Sequence, residues 1–216
     1  MIADALSYPL RGSGILVMMI GTVVAMLLQL AAFAPVIGLL AILIFYAYFI
    51  AYYYQILQKT ATGSDVEPDW PDVTDFLDDM VSPTLHVIGV FVISNLLWAL
   101  AIWQTGEDSL LSWAAQAFGM FYFPMALLGV VILGNLGGAN PFHVIPSIVR
   151  TISTYAMVGF IAVGLSFLID FIISKLSGNP IVSQGIATAL TLYFITAHAR
   201  LLGMFYRKEE EKLNWF

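Results

Sequence analysis

The uncharged stretch ILVMMIGTVVAMLLQLAAFAPVIGLLAILIFYAYFIAYYYQIL, residues 15–57, decides the fold class. As one continuous helix it would extend about 65 Å, roughly twice the ~30 Å thickness of a hydrocarbon core. The stretch must therefore turn back once, and Ala34 with Pro35 is the simplest place for the turn. We predict two membrane-spanning helices, at 14–33 and 35–57. Because the second follows the first directly, we interpret the first as a span and not as a signal peptide.

The composition of the whole chain indicates lipid as its solvent. The 216 residues are 60% hydrophobic and 10% charged, with a mean hydropathy of +0.90, whereas a soluble domain has about half apolar and about a quarter charged residues. Four further apolar stretches are long enough to cross a bilayer, at 84–103, 110–134, 153–174 and 181–203. We expect an all-α polytopic membrane protein in which residues 1–216 form one transmembrane domain of six helices, arranged as three hairpins.

The cationic residues are distributed unevenly about these six spans. Lys175 lies alone on one side of the membrane, and Arg200 lies near the boundary of the other side. The remaining cations all share the side of Arg200: Arg11, Lys59, Arg150, Arg207, Lys208 and Lys212. Because cationic loops stay in the cytoplasm, we expect both termini to be cytoplasmic. Trp103 and Trp113 suit the outer headgroup region and Trp215 suits the inner one.

A short segment precedes each predicted hairpin on the cytoplasmic side. The three segments are 3–11, 72–82 and 141–150, and we expect each to form a short interfacial helix. The resulting three units resemble one another in hydropathy and not in residue identity. Parallel repeats of this kind occur in some transporters, but repeated hairpins are also a simple way to build any helical bundle.

The most distinctive segment is the cytoplasmic loop 58–82, which is strongly acidic. Lys59 is its only cation, and its acidic residues are Asp65, Glu67, Asp69, Asp72, Asp75, Asp78 and Asp79. Its centre reads EPDWPD, residues 67–72, in which the two prolines favour an extended backbone. We expect a short helix to follow, with Asp72 as its cap and with one shared apolar face, formed by Val73, Phe76, Leu77 and Met80.

The acidic polar face of this helix indicates a protein partner. Anionic lipid headgroups would repel such a face, whereas a basic protein surface would attract it. The candidate docking residues are Asp69, Trp70, Asp72, Asp75, Asp78 and Asp79. Two other interpretations stay open. The loop can be a solvated linker with an interfacial anchor, or its carboxylates can bind Mg²⁺ or Ca²⁺, although it lacks the glycine and ligand spacing of an EF-hand.

Three stretches of the chain resemble one known family. They are YYYQILQKTATGSDVEPDWP (52–71), ALSYPLR (5–11) and NPFHVIPSIVRTISTY (140–155). Together they are similar to the prokaryotic membrane family catalogued as domain of unknown function 4013. The resemblance implies a multi-pass bacterial or archaeal protein, and hence the inner (plasma) membrane, and it implies no catalytic residues.

Polar side chains recur along two of the predicted spans. Ser166, Asp170 and Ser174 are four residues apart on the fifth span, and the sixth carries a comparable stripe of Gln184, Thr188, Thr191 and His198. We expect these two faces to meet. A carboxylate between them would bind a cation or relay a proton. The alternative is structural, because Ser and Thr often join membrane helices and Asp170 lies only about one turn from the outer boundary, within reach of water or Lys175.

Histidines and aromatic residues concentrate near the cytoplasmic boundary. His86, His143 and His198 all map there, so they are candidate ligands for a metal or haem, but no two of them share a helix at ligand spacing. Simple hydrogen bonding is the other interpretation. The aromatic residues of the second span suit an interfacial belt, or alternatively a surface for a pigment, a quinone or a partner helix: Phe45, Tyr46, Tyr48, Phe49, Tyr52, Tyr53 and Tyr54.

Several chemistries have no sequence signature in this chain. It contains no cysteine and no phosphate-binding glycine loop or serine-hydrolase elbow, and its net charge of −6 disfavours nucleic acid as a partner. We therefore expect a protein that is not an enzyme and that uses no cofactor or metal. The leading hypothesis is a noncatalytic membrane subunit or scaffold that contacts lipid and other membrane subunits, or copies of itself. The alternative is a small transporter or channel that uses the fifth and sixth spans.

Overall fold

A computed structural model describes residues 1–30, 35–64, 77–176 and 179–215, and all regular secondary structure in these ranges is helical. Eight α-helices are present there: α1 Ile2–Ser7, α2 Gly14–Leu30, α3 Pro35–Ala61, α4 Ser82–Thr105, α5 Leu110–Leu133, α6 Pro141–Arg150, α7 Ile152–Lys175 and α8 Pro180–Leu213. Short 3₁₀ turns follow α1 (Tyr8–Leu10) and α5 (Leu136–Ala139), and a π-helical turn, Leu77–Val81, leads into α4. The predicted all-α class is confirmed.

Five helices within the described residues are long and apolar enough to cross a membrane. They are Val36–Ala61, Leu77–Thr105, Leu110–Leu133, Ile152–Lys175 and Ile181–Leu213. A sixth crossing arises if α1 with its 3₁₀ turn and α2 count as one span, and the two parts are bent by 60°. The chain is thus a helical protein with five or six apolar helices suited to membrane insertion.

The helix ends follow from local sequence. Asn140 and Asn179 each precede a proline at the first helical position, and each side chain accepts a hydrogen bond from a backbone N–H of the first turn, at 3.0 and 2.9 Å. This combination caps the N-terminus with a polar side chain where proline costs no hydrogen bond. Ser109 caps α5 in the same way, and Gly134 ends that helix with a left-handed φ of 68°.

Helix α8 is the central element of the bundle. Helices α2, α3 and α7 all pack on it, and α3 also contacts α4 and α5, which pack closely against each other. Helices α2 and α3 contact α8 more extensively than they contact one another. Of the predicted hairpins, the α4–α5 pair is therefore the most tightly packed.

The α4–α5 pair and the turn after it depend on glycine at two points. A Cβ at Gly119 would overlap the carbonyl oxygen of Ser94 on α4, and a Cβ at Gly129 would lie 2.5 Å from the carbonyl oxygen of Gly138. Backbone meets backbone at both points, so no side chain can move aside to admit a larger residue. Small residues here permit the close approach, as they commonly do between membrane helices.

Burial concentrates at one end of the bundle, which we call the inner end. It comprises α1, α6, the beginning of α7 and the carboxyl-terminal parts of α3, α5 and α8, whose side chains form one connected core. Met125, Leu128, Leu202 and Phe205 are fully buried in this core. The parts of the helices away from it, which we call the outer half, expose most of their large apolar side chains.

The aromatic residues near the end of α3 differ from the predicted interfacial belt. Tyr52 and Tyr54 are only 3% and 8% exposed and belong to the core, whereas Tyr46, two turns earlier, is 62% exposed. Because α4, α5 and α8 all surround the last turns of α3, its tyrosines there pack inside the protein. The belt prediction is therefore wrong for this part of the cluster.

Candidate functional site

A buried arginine organises the inner end. Arg200 on α8 is 3% exposed, and its Nε and Nη2 donate hydrogen bonds to one carboxylate oxygen of Asp4 on α1, at 3.1 and 3.0 Å. Its Nη1 donates to the hydroxyl of Thr60 and to the carbonyl oxygen of Ser64, and its guanidinium lies over the Tyr8 ring, 4.8 Å from the centroid. A buried cation requires such compensation, so this network fixes α1 and the end of α3 against α8.

The same carboxylate also pairs with a second, exposed arginine. Arg11 donates to the other oxygen of Asp4 at 2.7 Å, and its side chain is 51% exposed. Burial acts to raise the pKa of Asp4, but hydrogen bonds from Arg11 and Arg200 outweigh it and hold that pKa below its ordinary value. Asp4 is therefore ionised at neutral pH and bridges a buried and an exposed cation.

A second buried carboxylate lies at the far end of α8. The helix is about 50 Å long, so its last turns extend beyond a hydrocarbon core of roughly 30 Å. There Glu209, 2% exposed, accepts hydrogen bonds from Lys212 at 2.6 Å and from Thr154 on α7 at 2.7 Å. These two hydrogen bonds hold its pKa below the ordinary value. Trp215 then closes this end by donating from its indole N–H to Ser147 of α6, at 2.8 Å.

Two consecutive tyrosines of α3 each meet a histidine. Tyr53 contacts Nδ1 of His198 on α8 at 3.0 Å, and Tyr54 contacts Nδ1 of His86 on α4 at 3.4 Å. Each pair is also stacked, with ring centroids 6.0 Å apart. Because neighbouring side chains on a helix point in different directions, α3 connects separately to α8 and to α4.

The three histidines do not come together, so the alternative of a shared metal or haem site is not supported by their positions. His86 and His198 lie on different faces of α3, and His143 is exposed on α6. Within the described ranges, no three His, Cys, Asp or Glu side chains are grouped as metal ligands. The hydrogen-bonding interpretation fits His86 and His198.

Only part of the predicted docking surface falls within the described residues. Asp69, Trp70, Asp72 and Asp75 lie outside them. Asp78 and Asp79 lie in the π-helical turn before α4, where Asp78 is exposed and Asp79 half-buried. In the same turn Leu77 is 71% exposed and Met80 is 1% exposed, so these two residues of the predicted apolar face do not share one environment.

The two intramembrane polar stripes are not brought together as predicted. Thr188 and Thr191 line a cavity of about 490 Å³ together with Gln184 and with residues of α2 and α3, whereas His198, from the same stripe, lines a cavity with residues of α7. On α7, Ser166 is half-buried, and Asp170 and Ser174 are exposed near the point where the Lys175 ammonium lies over the Phe171 ring. Helix α8 turns its threonine face toward α2 and α3, so α7 contacts a different face of α8.

The hydroxyl groups of both stripes are bonded locally. Ser166, Thr188 and Thr191 each donate to the carbonyl oxygen four residues earlier on their own helix, at 2.9–3.0 Å. Ser174 donates to the carbonyl of Phe171. Ser and Thr in membrane helices commonly satisfy their hydroxyls in this way, so these hydroxyls make no hydrogen bond between helices. The interhelical bond of the sixth-span stripe is the one between His198 and Tyr53 on α3.

One further polar contact is at Pro124, which lies inside the continuous helix α5. The hydroxyl of Tyr155 on α7 donates to the carbonyl oxygen of Phe121 at 2.6 Å, three residues before the proline. Pro124 itself has no backbone N–H to donate to the preceding turn. Tyr155 therefore joins α7 to α5 beside the proline.

Most of these inner-end contacts join residues far apart in the sequence, which is why the pattern of residues did not reveal them. A partial signal existed for Arg200, a charge within the last turns of a predicted span, because such a charge requires a partner. Asp4 is the only acidic residue in the segment before the first hairpin. The sequence alone could therefore have indicated the pairing of Arg200 with Asp4. Nothing in the sequence indicated the two Tyr–His pairs.

Comparisons of the chain with protein-family models, with curated proteins and with solved structures find no match.

Proposed function

We propose that this protein is a noncatalytic membrane subunit or scaffold of the inner (plasma) membrane of a prokaryote. In this proposal the chain crosses the membrane six times as three hairpins, and both termini lie in the cytoplasm. Its partners are other membrane proteins or further copies of itself. The acidic loop, the exposed aromatic surface of α7 and the surrounding lipid provide its contacts.

The observation that carries the proposal is the exposed face of α7. Only 6% of the most apolar part of this helix is buried inside the chain. Phe160, Phe167 and Phe171 are 77%, 71% and 60% exposed and recur at helical spacing, so they form one ridge. A Cβ at Gly164, between them, would meet nothing within 4 Å. A small residue between large ones leaves a groove beside the protruding side chains, and another membrane helix can pack into such a groove.

Charge at the inner end supports the same proposal. Asp78 is exposed and Asp79 half-exposed in the turn before α4, next to the acidic stretch that precedes it in the sequence. One exposed ion pair contributes only about 0–1 kcal/mol, but several acidic groups acting together control association with a basic partner and its salt dependence.

The ridge is tested by purification in a mild detergent at low salt, followed by mass spectrometry of the bound proteins. The variant Phe160→Ala/Phe167→Ala/Phe171→Ala is expected to lose a partner that the native chain retains. A control removes three exposed apolar side chains from α4, 52–59% exposed, as Phe91→Ala/Leu96→Ala/Leu97→Ala, and is expected to keep the partner. A native chain that purifies alone as a monomer contradicts the proposal.

The acidic loop is tested in the same experiment by neutralisation. Asp72→Asn/Asp75→Asn/Asp78→Asn/Asp79→Asn removes four negative charges and is expected to leave the protein inserted but to weaken association. Raising the salt concentration should have the same effect on the native chain. Unchanged association in the neutralised variant contradicts a docking role and leaves the loop as a solvated linker.

The proposed topology is tested with reporters. A reporter fused at Asn214 or inserted near Ser64 should be cytoplasmic, and one inserted near Asp108 should be external. A cytoplasmic reporter near Asp108 contradicts the six crossings.

One observation favours the alternative, a small transporter or channel. The cavity between α2, α3 and α8 has a volume of about 490 Å³ and carries Gln184, Thr188 and Thr191 on its α8 wall. Its remaining lining is mostly apolar, including Leu28, Phe45 and Phe49, which suits an acyl chain better than an ion. Ion flux into liposomes that is lost when the polar groups of this wall are removed, as in Thr188→Val/Thr191→Val, would favour the transporter over the subunit.

A further inference from the structure

The exposed side of α7 follows a repeat of seven residues. From residue 160 to residue 175 the exposed residues are those at 160, 163, 164, 167, 168, 170, 171, 174 and 175. With Gly164 at position a of a heptad, all of them fall at positions a, d, e or g, and the residues at b, c and f are half-buried in the bundle. Positions a, d, e and g contact the partner in a two-stranded coiled coil. The exposed side therefore has the pattern of a helix that packs lengthwise against one other helix.

Positions a and d of this repeat contain the ridge of exposed phenylalanines. Gly164 and Phe171 lie at a, and Phe160, Phe167 and Ser174 lie at d. A seam with this period suits a left-handed crossing of about 20°, the commonest one between membrane helices. A Cβ at Gly164 would meet nothing within 4 Å in its own chain, so the glycine leaves room for an aromatic ring of the opposite helix.

Two opposite charges lie on either side of this seam. Asp170 is at position g and Lys175 is at position e. Residues five apart on a helix are about 7.5 Å apart along the axis and about 140° apart around it, so these two side chains do not face each other within the chain. Neither forms an ion pair among the residues that the structure describes, and the Lys175 ammonium lies 5.5 Å from the centroid of the Phe171 ring. Both charges thus lie beside the seam without a counter-charge from their own helix.

We propose that α7 packs against α7 of a second copy of this chain, in a parallel dimer with two-fold symmetry. The inference rests on the proposed function, in which the exposed face of α7 contacts a partner, and it identifies that partner. Copies that insert in the same direction present this helix in parallel. In a parallel pair, a residue at g faces the residue at e that lies five positions later on the other helix. Asp170 of each copy therefore faces Lys175 of the other, and each dimer contains two such ion pairs.

The charge pattern distinguishes a second copy from an unrelated protein. In a two-fold interface the same surface meets itself, so it has to be complementary to itself. The α7 face fulfils this condition, because its acidic flank meets the basic flank of the other copy while seam meets seam. An unrelated helix would need the same two charges at the same spacing.

Cysteine cross-linking tests the contact in the membrane, since the native chain contains no cysteine. Equal positions at a lie opposite each other in a parallel dimer, so Phe171→Cys should form a disulfide-linked dimer when an oxidant is added to membranes. Phe91→Cys on α4 is the matched control, because Phe91 is 59% exposed and Phe171 is 60% exposed, and it should remain monomeric. Absence of the cross-link in Phe171→Cys, or an equal yield in both variants, overturns the proposal.

Exchange of the charges tests the ion pairs. Asp170→Lys and Lys175→Asp each place like charges opposite each other, and each should raise the dissociation constant of the dimer about tenfold, because two modest pairs are replaced by two repulsions. Asp170→Lys/Lys175→Asp restores both pairs and should return to within about threefold of the native value. The measurement is Förster transfer between labelled copies in liposomes at increasing lipid dilution. A double variant that associates as weakly as the single ones overturns the proposal.

Two further measurements make a negative result specific. Monodisperse elution and native helix content in detergent show that each variant is folded. If the native chain is monomeric in liposomes, yet retains another protein that the phenylalanine-to-alanine variant of the ridge loses, the dimer is overturned and the proposed function stands. If the native chain neither dimerises nor retains another protein, both are overturned.

Discussion

The inner end and the outer half of this bundle are formed largely by the same long helices but are stabilised differently. At the inner end, α1, α6 and four longer helices enclose a core in which Arg200 and Glu209 are buried with partners. In the outer half, the helices diverge around cavities and expose their large side chains. Half of the most apolar part of α5 is buried, against 6% of that of α7.

This difference shows where a membrane protein can gain stability. Lipid tails are as apolar as leucine, so burying an apolar side chain against another helix gives no hydrophobic gain. Close backbone approach and polar contacts that lipid cannot replace remain effective, and both occur at the inner end. We therefore expect substitutions at the inner end to destabilise the protein and matched substitutions in the outer half to have little effect.

The largest loss of stability is expected when alanine replaces a glycine that is in close contact with backbone. In Gly129→Ala the new methyl group would lie 2.5 Å from the carbonyl oxygen of Gly138, and backbone cannot yield cheaply. The free energy of unfolding should fall by about 3 kcal/mol, the upper part of the range for overpacking. Gly164→Ala in the exposed part of α7 meets nothing within 4 Å and should be neutral or slightly stabilising. Equal unfolding temperatures for the two variants in detergent would contradict the comparison.

The second-largest loss of stability is expected at Asp4, which pairs with two arginines. Asp4→Asn removes the carboxylate that pairs with the guanidinium of Arg200, which is 3% exposed. We expect a loss of about 2 kcal/mol, less than the roughly 3–5 kcal/mol of a fully buried pair, because Asp4 is 30% exposed. Arg11→Gln removes only the exposed partner of the same carboxylate and should cost less than about 1 kcal/mol. If Arg11→Gln lowered the free energy of unfolding as much as Asp4→Asn, the contact with the buried arginine would contribute no more than the contact with the exposed one.

A smaller loss of stability is expected from the contact between α7 and α5 beside Pro124. Tyr155→Phe removes the hydroxyl that donates to the carbonyl oxygen of Phe121 on α5. Because this hydrogen bond joins two helices at a site that water does not reach easily, its loss should lower the free energy of unfolding by about 1–2 kcal/mol. Tyr46→Phe changes an exposed tyrosine of the outer half and provides the control. Equal stability of both variants would indicate that the proline site has another source of hydrogen bonds.

The same physics explains how much of this structure the sequence revealed. The span predicted at 110–134 matches Leu110–Leu133, and the short helix predicted at 141–150 matches Pro141–Arg150. Hydropathy could not show which helix is buried, because α7 has a higher mean hydropathy than α5, 2.4 against 1.8, yet is far less buried. The hydropathy pattern also predicted that the last span ends at residue 203. Helix α8 in fact continues to Leu213, through a segment that is helical but contains many charged residues.

The smallest change in stability is expected from substitutions in the cavity of the outer half. The same substitutions test whether this region has a function. In Thr188→Val/Thr191→Val the lost hydroxyls had donated only to carbonyls of their own helix, which already bond to backbone N–H groups. The free energy of unfolding should therefore change by less than about 0.5 kcal/mol, in line with the weak contribution of such groups in membranes. Thr60→Val at the inner end should cost about 1 kcal/mol, because Thr60 accepts a hydrogen bond from Arg200. Ion flux in liposomes should be equally low for the native chain and the cavity variant if lipid fills this space. Flux that is present in the native chain and lost in the stable cavity variant would instead make the outer half the functional region and the inner end its support.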